Sequence, residues 1–448
     1  DSGKLNELSD NNKEQMDELT IDAVQKAENT SEDSQLIANV VAVVNDDLVN
    51  KVVEEVSKAS IEEKQTLSAK VLKAIVDTEP SKIENINEET KTTIIKQTLE
   101  AAKNQEEGGL NEKDDLSDVV ADIVVKTDSA TASKIIEEVN NTETESSLSL
   151  KVMSGISDKD ANKINQLAET NKESIDKLTE KAIQSAKSTN EDSELIAKVV
   201  AVASDEIANK VVEEVSKNAT NEKQSLSAKV LKAIVDTQPN KIETLNEEIK
   251  TTVISQAIEA AKNQQEGSSS DEEDLSNTVA EIVTKADNDT AAKVLETLDE
   301  ATSDTSSKLA LNVVNNLTKQ ENYEEKIEIL SVSSSVVEKN ITKLVEKAVE
   351  NAKTDDDLEI VTNLVENSKG TLSNKVLDSA NNNEETKKKV SEVIVKIIEK
   401  NPEKAVEIIE NNQNTNTVTE TIKTKIENNE AVTSEDFDDV FKKNVSPN

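Results

Sequence analysis

Apolar residues recur along this chain at the spacing of an α-helix. The segments 48–56, 67–75 and 148–156 each carry them at positions i, i+4, i+5 and i+8. Such spacing puts one apolar stripe on a helix of about three to four turns. Alternation of apolar and polar residues, as in a half-buried strand, does not run over comparable lengths. The pattern therefore predicts amphipathic helices and negligible strand.

A long internal duplication repeats this pattern. The strings at 51–58 and 67–78 recur unchanged at 210–217 and 226–237, an offset of 159 residues. We expect the stripe residues of both copies to be buried between helices. They are Val52, Val53, Leu72 and Ile75 in the first copy and Val211, Val212, Leu231 and Ile234 in the second. Glu54 and Lys73 lie opposite the stripe, so we expect them to be exposed.

A Lys followed by an apolar residue marks a shorter period inside the duplication. It recurs at Lys82, Lys163, Lys241, Lys326 and Lys404, with spacings of 81, 78, 85 and 78 residues. A unit of about 80 residues is roughly twice the usual two-helix repeat. Pro stands two residues before three of these lysines, where it fits the first turn of a helix.

This marker divides the chain into five repeat units and a tail. The units are 1–83, 84–164, 165–242, 243–327 and 328–405, and the divergent tail is 406–448. Short polar breaks that can cap helices predict four helices of about 11–18 residues per unit and a short turn after the Pro position. We predict an all-α fold, an elongated α-solenoid-like tandem array of short antiparallel helices.

The tail holds the two Phe residues of the chain, Phe437 and Phe441. Together with Val440 they share one face of a short amphipathic helix predicted over 434–443. The helix could cap the last repeat of its own chain or dock in a groove on a neighbour's N-terminal unit. We favour docking between subunits, because the polar stretch 411–419 before the helix can act as an extended linker to a neighbouring subunit.

The composition and charge of the chain limit the kinds of molecule that it is expected to bind. Only 34% of the residues are hydrophobic and 1% aromatic, which suits a thin helical core better than a thick one. The net charge is −40, and all 52 basic residues are Lys. An acidic surface without Arg argues against nucleic-acid binding. No apolar run reaches the ~18–20 residues that cross a bilayer, so membrane insertion is not expected either.

Candidate chemistry is sparse. The chain lacks His and Cys, so it has no common general base near neutral pH and no thiolate. Ser174 and Lys177 match the Ser-x-x-Lys motif of some hydrolases in sequence only. We expect them to be ordinary residues on the surface of a helix. We therefore expect no catalytic residues and no cofactor. Acidic clusters at 114–115, 158–160, 271–274, 287–289 and 355–357 keep structural calcium open, although helix capping accounts for most of them.

These observations favour a non-enzymatic structural repeat protein that assembles with copies of itself into a filament, sheath or surface layer. The alternative is a monomeric α-solenoid scaffold that binds a protein or peptide on a concave face. The sequence starts Asp1-Ser2-Gly3 without Met, as after removal of a signal peptide. We therefore expect an extracellular or cell-surface location, with the cytoplasm as the alternative.

Overall fold

The structure is a computed structural model of the chain. It describes residues 12–60, 64–108, 110, 114–142, 147–219, 223–267, 273–302, 308–333, 335–367, 371–380, 382–411, 416–428 and 430–437. Within these residues the regular elements are α-helices and short 3₁₀ turns, with no strand, which confirms the all-α tandem fold. The helices form two compact groups, Asp1–Asn218 and Ala219–Asn448.

Thirteen α-helices are described in the first group. They are α1 Lys13–Lys26, α2 Ser31–Val43, α3 Asp46–Ala59, α4 Leu67–Thr78, α5 Ser81–Glu84, α6 Glu88–Glu106, α7 Leu116–Lys126, α8 Ser129–Asn141, α9 Leu148–Lys159, α10 Lys163–Thr170, α11 Lys172–Ser185, α12 Asn190–Val202 and α13 Asp205–Asn218.

The second group has thirteen described α-helices and ends in a 3₁₀ turn. They are α14 Leu226–Thr237, α15 Asn240–Glu243, α16 Glu247–Gln265, α17 Leu275–Lys285, α18 Asn288–Ala301, α19 Leu309–Leu317, α20 Tyr323–Ser333, α21 Ser335–Asn351, α22 Asp355–Asn367, α23 Thr371–Ser379, α24 Glu384–Lys400, α25 Pro402–Asn411, α26 Asn416–Glu427 and η1 Ser434–Phe437.

Long helices of the first group pack in two rows. One row is α1, α3, α6, α8, α11 and α13, and the other is α2, α4, α7, α9 and α12. Each helix packs on the next helix of its own row and on nearby helices of the other row. The first-row helices α3, α6, α8 and α11 begin at residues 46, 88, 129 and 172, so one step takes 41 to 43 residues. The structural step is thus a helix pair, half of the predicted 80-residue unit.

Helices of the second group follow the same scheme. One row is α14, α17, α19, α22 and α24, and the other is α16, α18, α21 and α23. The boundary between the two groups falls inside the predicted unit 165–242, between α13 and α14. The five-unit division stays a prediction, because it concerns the sequence period rather than the contacts between helices.

The marker lysines close the ends of earlier helices. Three of them donate hydrogen bonds from Nζ to the carbonyl oxygens of the residues that directly follow α2, α7 and α17: Lys82 to Val44 at 2.8 Å, Lys163 to Thr127 at 2.8 Å and Lys326 to Ala286 at 2.5 Å. A positive charge is favourable at the carbonyl end of a helix. Burial lowers the pKa of Lys163 and of Lys326. The contact gives a structural role to three of the five marker lysines, whereas Lys404 pairs with Glu407 of its own helix at 3.2 Å.

Glycine closes two equivalent helices 159 residues apart. Gly108 follows α6 with φ +77°, and Gly267 follows α16 with φ +76°. Their N–H groups donate to the carbonyls of Gln105 and Gln264 at 3.0 Å. A side chain would be strained at that φ, so Gly is favoured in both copies.

The apolar stripes form the core, as predicted. All eight stripe residues are 0–2% exposed: Val52, Val53, Leu72, Ile75, Val211, Val212, Leu231 and Ile234. Glu54 and Lys73, however, are half-buried rather than exposed. Packing within a row brings Asp122 of α7 to 3.3 Å from Lys73 Nζ, which also lies 2.7 Å from Asp77. The polar side of α4 is therefore partly covered by a charged side chain of α7, whereas Glu54 pairs with Lys58 of its own helix at 2.6 Å.

Candidate interaction surface

The first helix group contains a small apolar cavity. A cavity of about 10 Å³ lies among α4, α6, α7 and α8, lined by Leu72, Ile95, Thr98, Leu99, Val120, Ile123 and Ile135. It is too small for a ligand, since binding pockets usually exceed about 300 Å³. None of the described helices combines the length and the apolar character needed to cross a membrane.

Three of the acidic clusters supply a helix cap. Carboxylates of Asp115, Asp274 and Asp287 accept hydrogen bonds from the first backbone N–H groups of α7, α17 and α18. Among the described residues, no three His, Cys, Asp or Glu side chains are grouped so as to hold a metal ion. Structural calcium stays a prediction, because part of the cluster 271–274 lies outside these residues.

The predicted docking residues lie at the end of the described chain. Phe437 is fully buried in its own chain, at the end of η1, which packs on α24 and α26. Asp436 beside it pairs with Lys425 of α26. Val440 and Phe441 lie outside the described residues. The docking role of the three residues therefore stays a prediction.

A different apolar surface is exposed on α1 and α2. Leu19, Leu36 and Val40 are 61%, 58% and 39% exposed, and Ala23 beside Leu19 is exposed as well. Ile329 of α20 is the other large apolar side chain that the described residues leave exposed. We call Leu19, Ala23, Leu36 and Val40 the N-terminal face. Grouped exposed apolar side chains of this kind are typical of interaction sites.

The internal copy shows how the same positions look when covered. The counterparts of Leu19, Ala23 and Val40, 159 residues later, are Leu178, Ala182 and Val199, at most 1% exposed. They lie on α11 and α12, which pack on the preceding helix pair α8 and α9. The fourth counterpart, Leu195, is half-buried. A helix pair of this chain therefore covers the copy of the N-terminal face.

Two lysines complete that internal joint. Lys181 Nζ donates to the carbonyl of Thr142, at the end of α8, at 3.2 Å, and Lys198 Nζ lies 3.1 Å from a carboxylate oxygen of Asp158 on α9. These contacts join α11 and α12 to the helix pair that covers them. A charge at the carbonyl end of α8 and an ion pair to α9 both favour the joint.

The N-terminal face lacks both lysines. Asp22 stands at the position of Lys181, and Asn39 stands at the position of Lys198. Asp22 pairs instead with Lys26 of its own helix at 2.7 Å, and Asn39 accepts a hydrogen bond from Gln35 at 3.3 Å. The apolar centre of the surface is thus kept, while the polar contacts of the internal joint are replaced.

Sequence reasoning missed this surface because apolar spacing is the same in both copies. The sequence did contain one sign of the difference, because aligned positions of the two copies differ in charge. The clearest case is Lys181, whose counterpart is Asp22. Apolar periodicity predicts that a stripe is buried, but it does not say which stripe has no neighbour.

No protein-family model and no curated protein matches this sequence. Among solved structures, it is similar to a circular tandem repeat protein with novel repeat topology and enhanced subunit contact surfaces, at 16% identity and a TM-score of 0.26, covering 95% of this chain and 93% of the other. It is also similar to a computationally designed self-assembling cyclic homo-oligomer, at 15% identity and a TM-score of 0.12, covering 83% and 99%. Neither likeness bears on function at such TM-scores.

Proposed function

We propose that this chain is a non-enzymatic structural repeat protein that associates with copies of itself through the N-terminal face. The observation that supports it is the match between exposed Leu19 and Val40 and buried Leu178 and Val199. In the internal copy these positions are covered by helices of this same chain. Removing apolar surface from water favours association by about 25 cal/mol per Å².

The side chains available for chemistry support a structural role. With no His and no Cys, only carboxylates, Lys and hydroxyl groups remain as catalytic groups. Ser174 lies on α11, where its carbonyl accepts a hydrogen bond from Asn140 at 2.8 Å and its N–H donates to Asn171 at 3.3 Å. Its backbone therefore serves helix capping and helix packing.

Assembly into a filament, sheath or surface layer needs a second joining surface. An interface that uses one patch on both copies closes as a pair, whereas open growth needs two different patches on each copy. The tail residues Val440 and Phe441 remain the candidates from the sequence for that second patch. A monomeric scaffold for another protein is the alternative function.

The size of the purified protein in solution tests the proposal. Sedimentation over a wide range of concentrations should show a mass that rises above 48.8 kDa. Leu36→Asp should keep the chain monomeric while its circular dichroism spectrum stays helical, because it places a charge in the centre of the contact. Ile329→Asp is the matched control, an exposed apolar residue elsewhere, and should associate like the wild type.

Two outcomes would contradict the proposal. A wild type that stays at 48.8 kDa at every concentration and salt level would leave the scaffold alternative. Association that Leu36→Asp does not weaken would show that the joining surface lies elsewhere on the chain.

A further inference from the structure

We infer that two copies join N-terminal face to N-terminal face, as a symmetric pair, and that acidic residues around the face weaken this contact at low salt. This inference rests on the proposed function and specifies its partner surface. Three features of the described residues support it: the closed end of the second helix group, the replaced lysines, and the charges on α1 and α2.

The last long helix of the second group is already covered. In the interior of that group, α19 packs on α21 and α22. At its end, α24 packs instead on α25 and on η1, whose Phe437 is fully buried. No large apolar side chain is exposed on the described parts of α21 to α26. This end therefore offers no described apolar surface to the N-terminal face of another copy.

The N-terminal face is also poorly matched to a surface like that of α8 and α9. Such a surface presents the carbonyl end of a helix and a carboxylate, which Lys181 and Lys198 contact in the internal joint. Asp22 would meet the negative end of that helix, and Asn39 would leave the carboxylate unpaired. Head-to-tail stacking through a repeat-type end is thus disfavoured.

The N-terminal face of a second copy supplies the apolar surface that the end of the second group does not offer. It also does not need the two replaced lysines as contacts. It brings an equal apolar patch, and a two-fold contact requires only that one surface fits itself. The contact closes at two copies, because each copy has used its face. Leu19 and Ala23 of α1 and Leu36 and Val40 of α2 would form the apolar centre of this symmetric contact.

Charge around the face opposes the pair. Glu18 and Asp22 on α1 and Glu32 on α2 are exposed, and Lys26 is already paired with Asp22. Two copies in this arrangement bring like charges together. Salt screens such repulsion over about 8–10 Å at physiological ionic strength. Association should therefore strengthen as salt rises, whereas a contact built on ion pairs would weaken.

The lack of Cys allows a direct test of the arrangement. A single Ala23→Cys variant of the full chain, treated with a short bifunctional maleimide, should link to itself and give a covalent dimer. Glu427→Cys, exposed at the end of α26, should not link to Ala23→Cys when the two variants are mixed. Ile329→Cys controls for random collision, since it is exposed but lies outside the proposed contact.

Salt and charge variants add a second readout. The fraction of Ala23→Cys chains that are cross-linked as dimers should be higher in 0.5 M than in 0.05 M sodium chloride. Glu18→Gln with Asp22→Asn should lower the Kd of the pair by about tenfold at low salt. A Kd that rises with salt would overturn the inferred effect of the acidic residues.

The outcomes separate this inference from the proposed function. Cross-linking of Ala23→Cys to Glu427→Cys, but not to itself, would establish head-to-tail contact and overturn the symmetric pair, while self-association would stand. A wild type that never associates would remove the proposed function itself. Dimers that form without any Ala23→Cys linkage would place the contact on another surface and overturn the inference.

Discussion

Helices α1–α2 and α11–α12 carry nearly the same apolar positions but lie in different surroundings. Leu19 is 61% exposed, whereas its counterpart Leu178 is fully buried under α8 and α9. Val40 and Val199 differ in the same way. In a repeat array each helix pair offers one surface to the pair before it. The comparison shows that burial is decided by the neighbour and not by the stripe itself.

The polar positions differ where the surroundings differ. Lys181 and Lys198 contact the preceding helix pair, whereas Asp22 and Asn39 contact only residues of their own helices. A lysine without a carbonyl or carboxylate to contact has no structural role at these positions. The apolar residues are thus nearly the same in the two helix pairs, and the polar residues differ where the described neighbours differ.

The largest difference in stability should appear when a charged residue is placed at equivalent positions of α1–α2 and α11–α12. Leu178→Asp should lower the free energy of unfolding by about 4 kcal/mol, because it buries an unpaired carboxylate. Leu19→Asp should change it by less than about 0.5 kcal/mol in the monomer, since the side chain faces water. Urea unfolding followed by circular dichroism measures both. Equal losses would show that Leu19 is covered within its own chain.

A third copy of this helix extends the comparison to pH. Asp357 in α22 and Asp192 in α12 are both the third residue of their helix. Burial raises the pKa of Asp192, whose carboxylate accepts from the N–H of Lys187. Burial also acts on Asp357, but hydrogen bonds from the N–H of Lys353 and from Lys308 outweigh it and hold its pKa at about 2.

These opposite shifts give effects of opposite sign. The pKa of Asp357 is below its ordinary 3.8, so its stabilisation is present above pH 3.8 and is lost as pH falls towards 2. Asp357→Asn should therefore cost about 2 kcal/mol at pH 7 and much less at pH 2. The pKa of Asp192 is raised, so its charged form is disfavoured at pH 7, and the matched control Asp192→Asn should raise the free energy of unfolding by less than about 1 kcal/mol there. A cost for Asp357→Asn that does not change with pH would contradict the assignment.

A smaller effect concerns the packing of α7 and α9. A Cβ atom added at Gly155 of α9 would lie 2.8 Å from the Cβ of Ala121. Gly155 is the eighth residue of α9, and the eighth residue of the corresponding helix α19 is Asn316. Gly155→Ala should cost about 1 kcal/mol net, because the steric overlap of about 1–3 kcal/mol exceeds the gain of about 1 kcal/mol from replacing a helical glycine.

A second substitution separates the two contributions. Adding Ala121→Gly to Gly155→Ala removes the overlap, so the double variant should be more stable than the sum of the single variants predicts. Urea midpoints of the four proteins in this cycle measure the coupling. Additive costs would show that α7 and α9 move apart without loss, and that the close approach at Gly155 is not required.

The smallest effect should come from the lysines of the internal joint. Lys198→Asn, which copies residue 39 into α12, should cost about 0.5 kcal/mol, because the pair with Asp158 is largely exposed. The reverse change, Asn39→Lys, should leave monomer stability unchanged, since no carboxylate of a preceding helix pair faces it among the described residues. Thermal unfolding at 0.05 M and 1 M salt measures both. A loss for Lys198→Asn that persists at high salt would contradict an electrostatic origin.

Much of the fold could be predicted from the residues alone. Apolar positions at helical spacing fix which side of each helix is buried, because that choice depends only on the period of the backbone. The sequence therefore predicted the helices, the negligible strand content of the described residues and the buried stripes such as Val52 and Leu72. It also revealed the repeated marker lysines, although not the carbonyls of earlier helices that three of them contact.

Only the tertiary structure decided which stripe lies against a neighbour. Leu19 and Leu178 have the same local sequence pattern, and the difference between them is a helix pair that precedes one and not the other among the described residues. The same holds for Lys73, half-buried because packing within a row brings Asp122 beside it. Helical period is a local property of the backbone, whereas burial is a property of the surface that two elements share, and contacts between residues distant in sequence determine that surface.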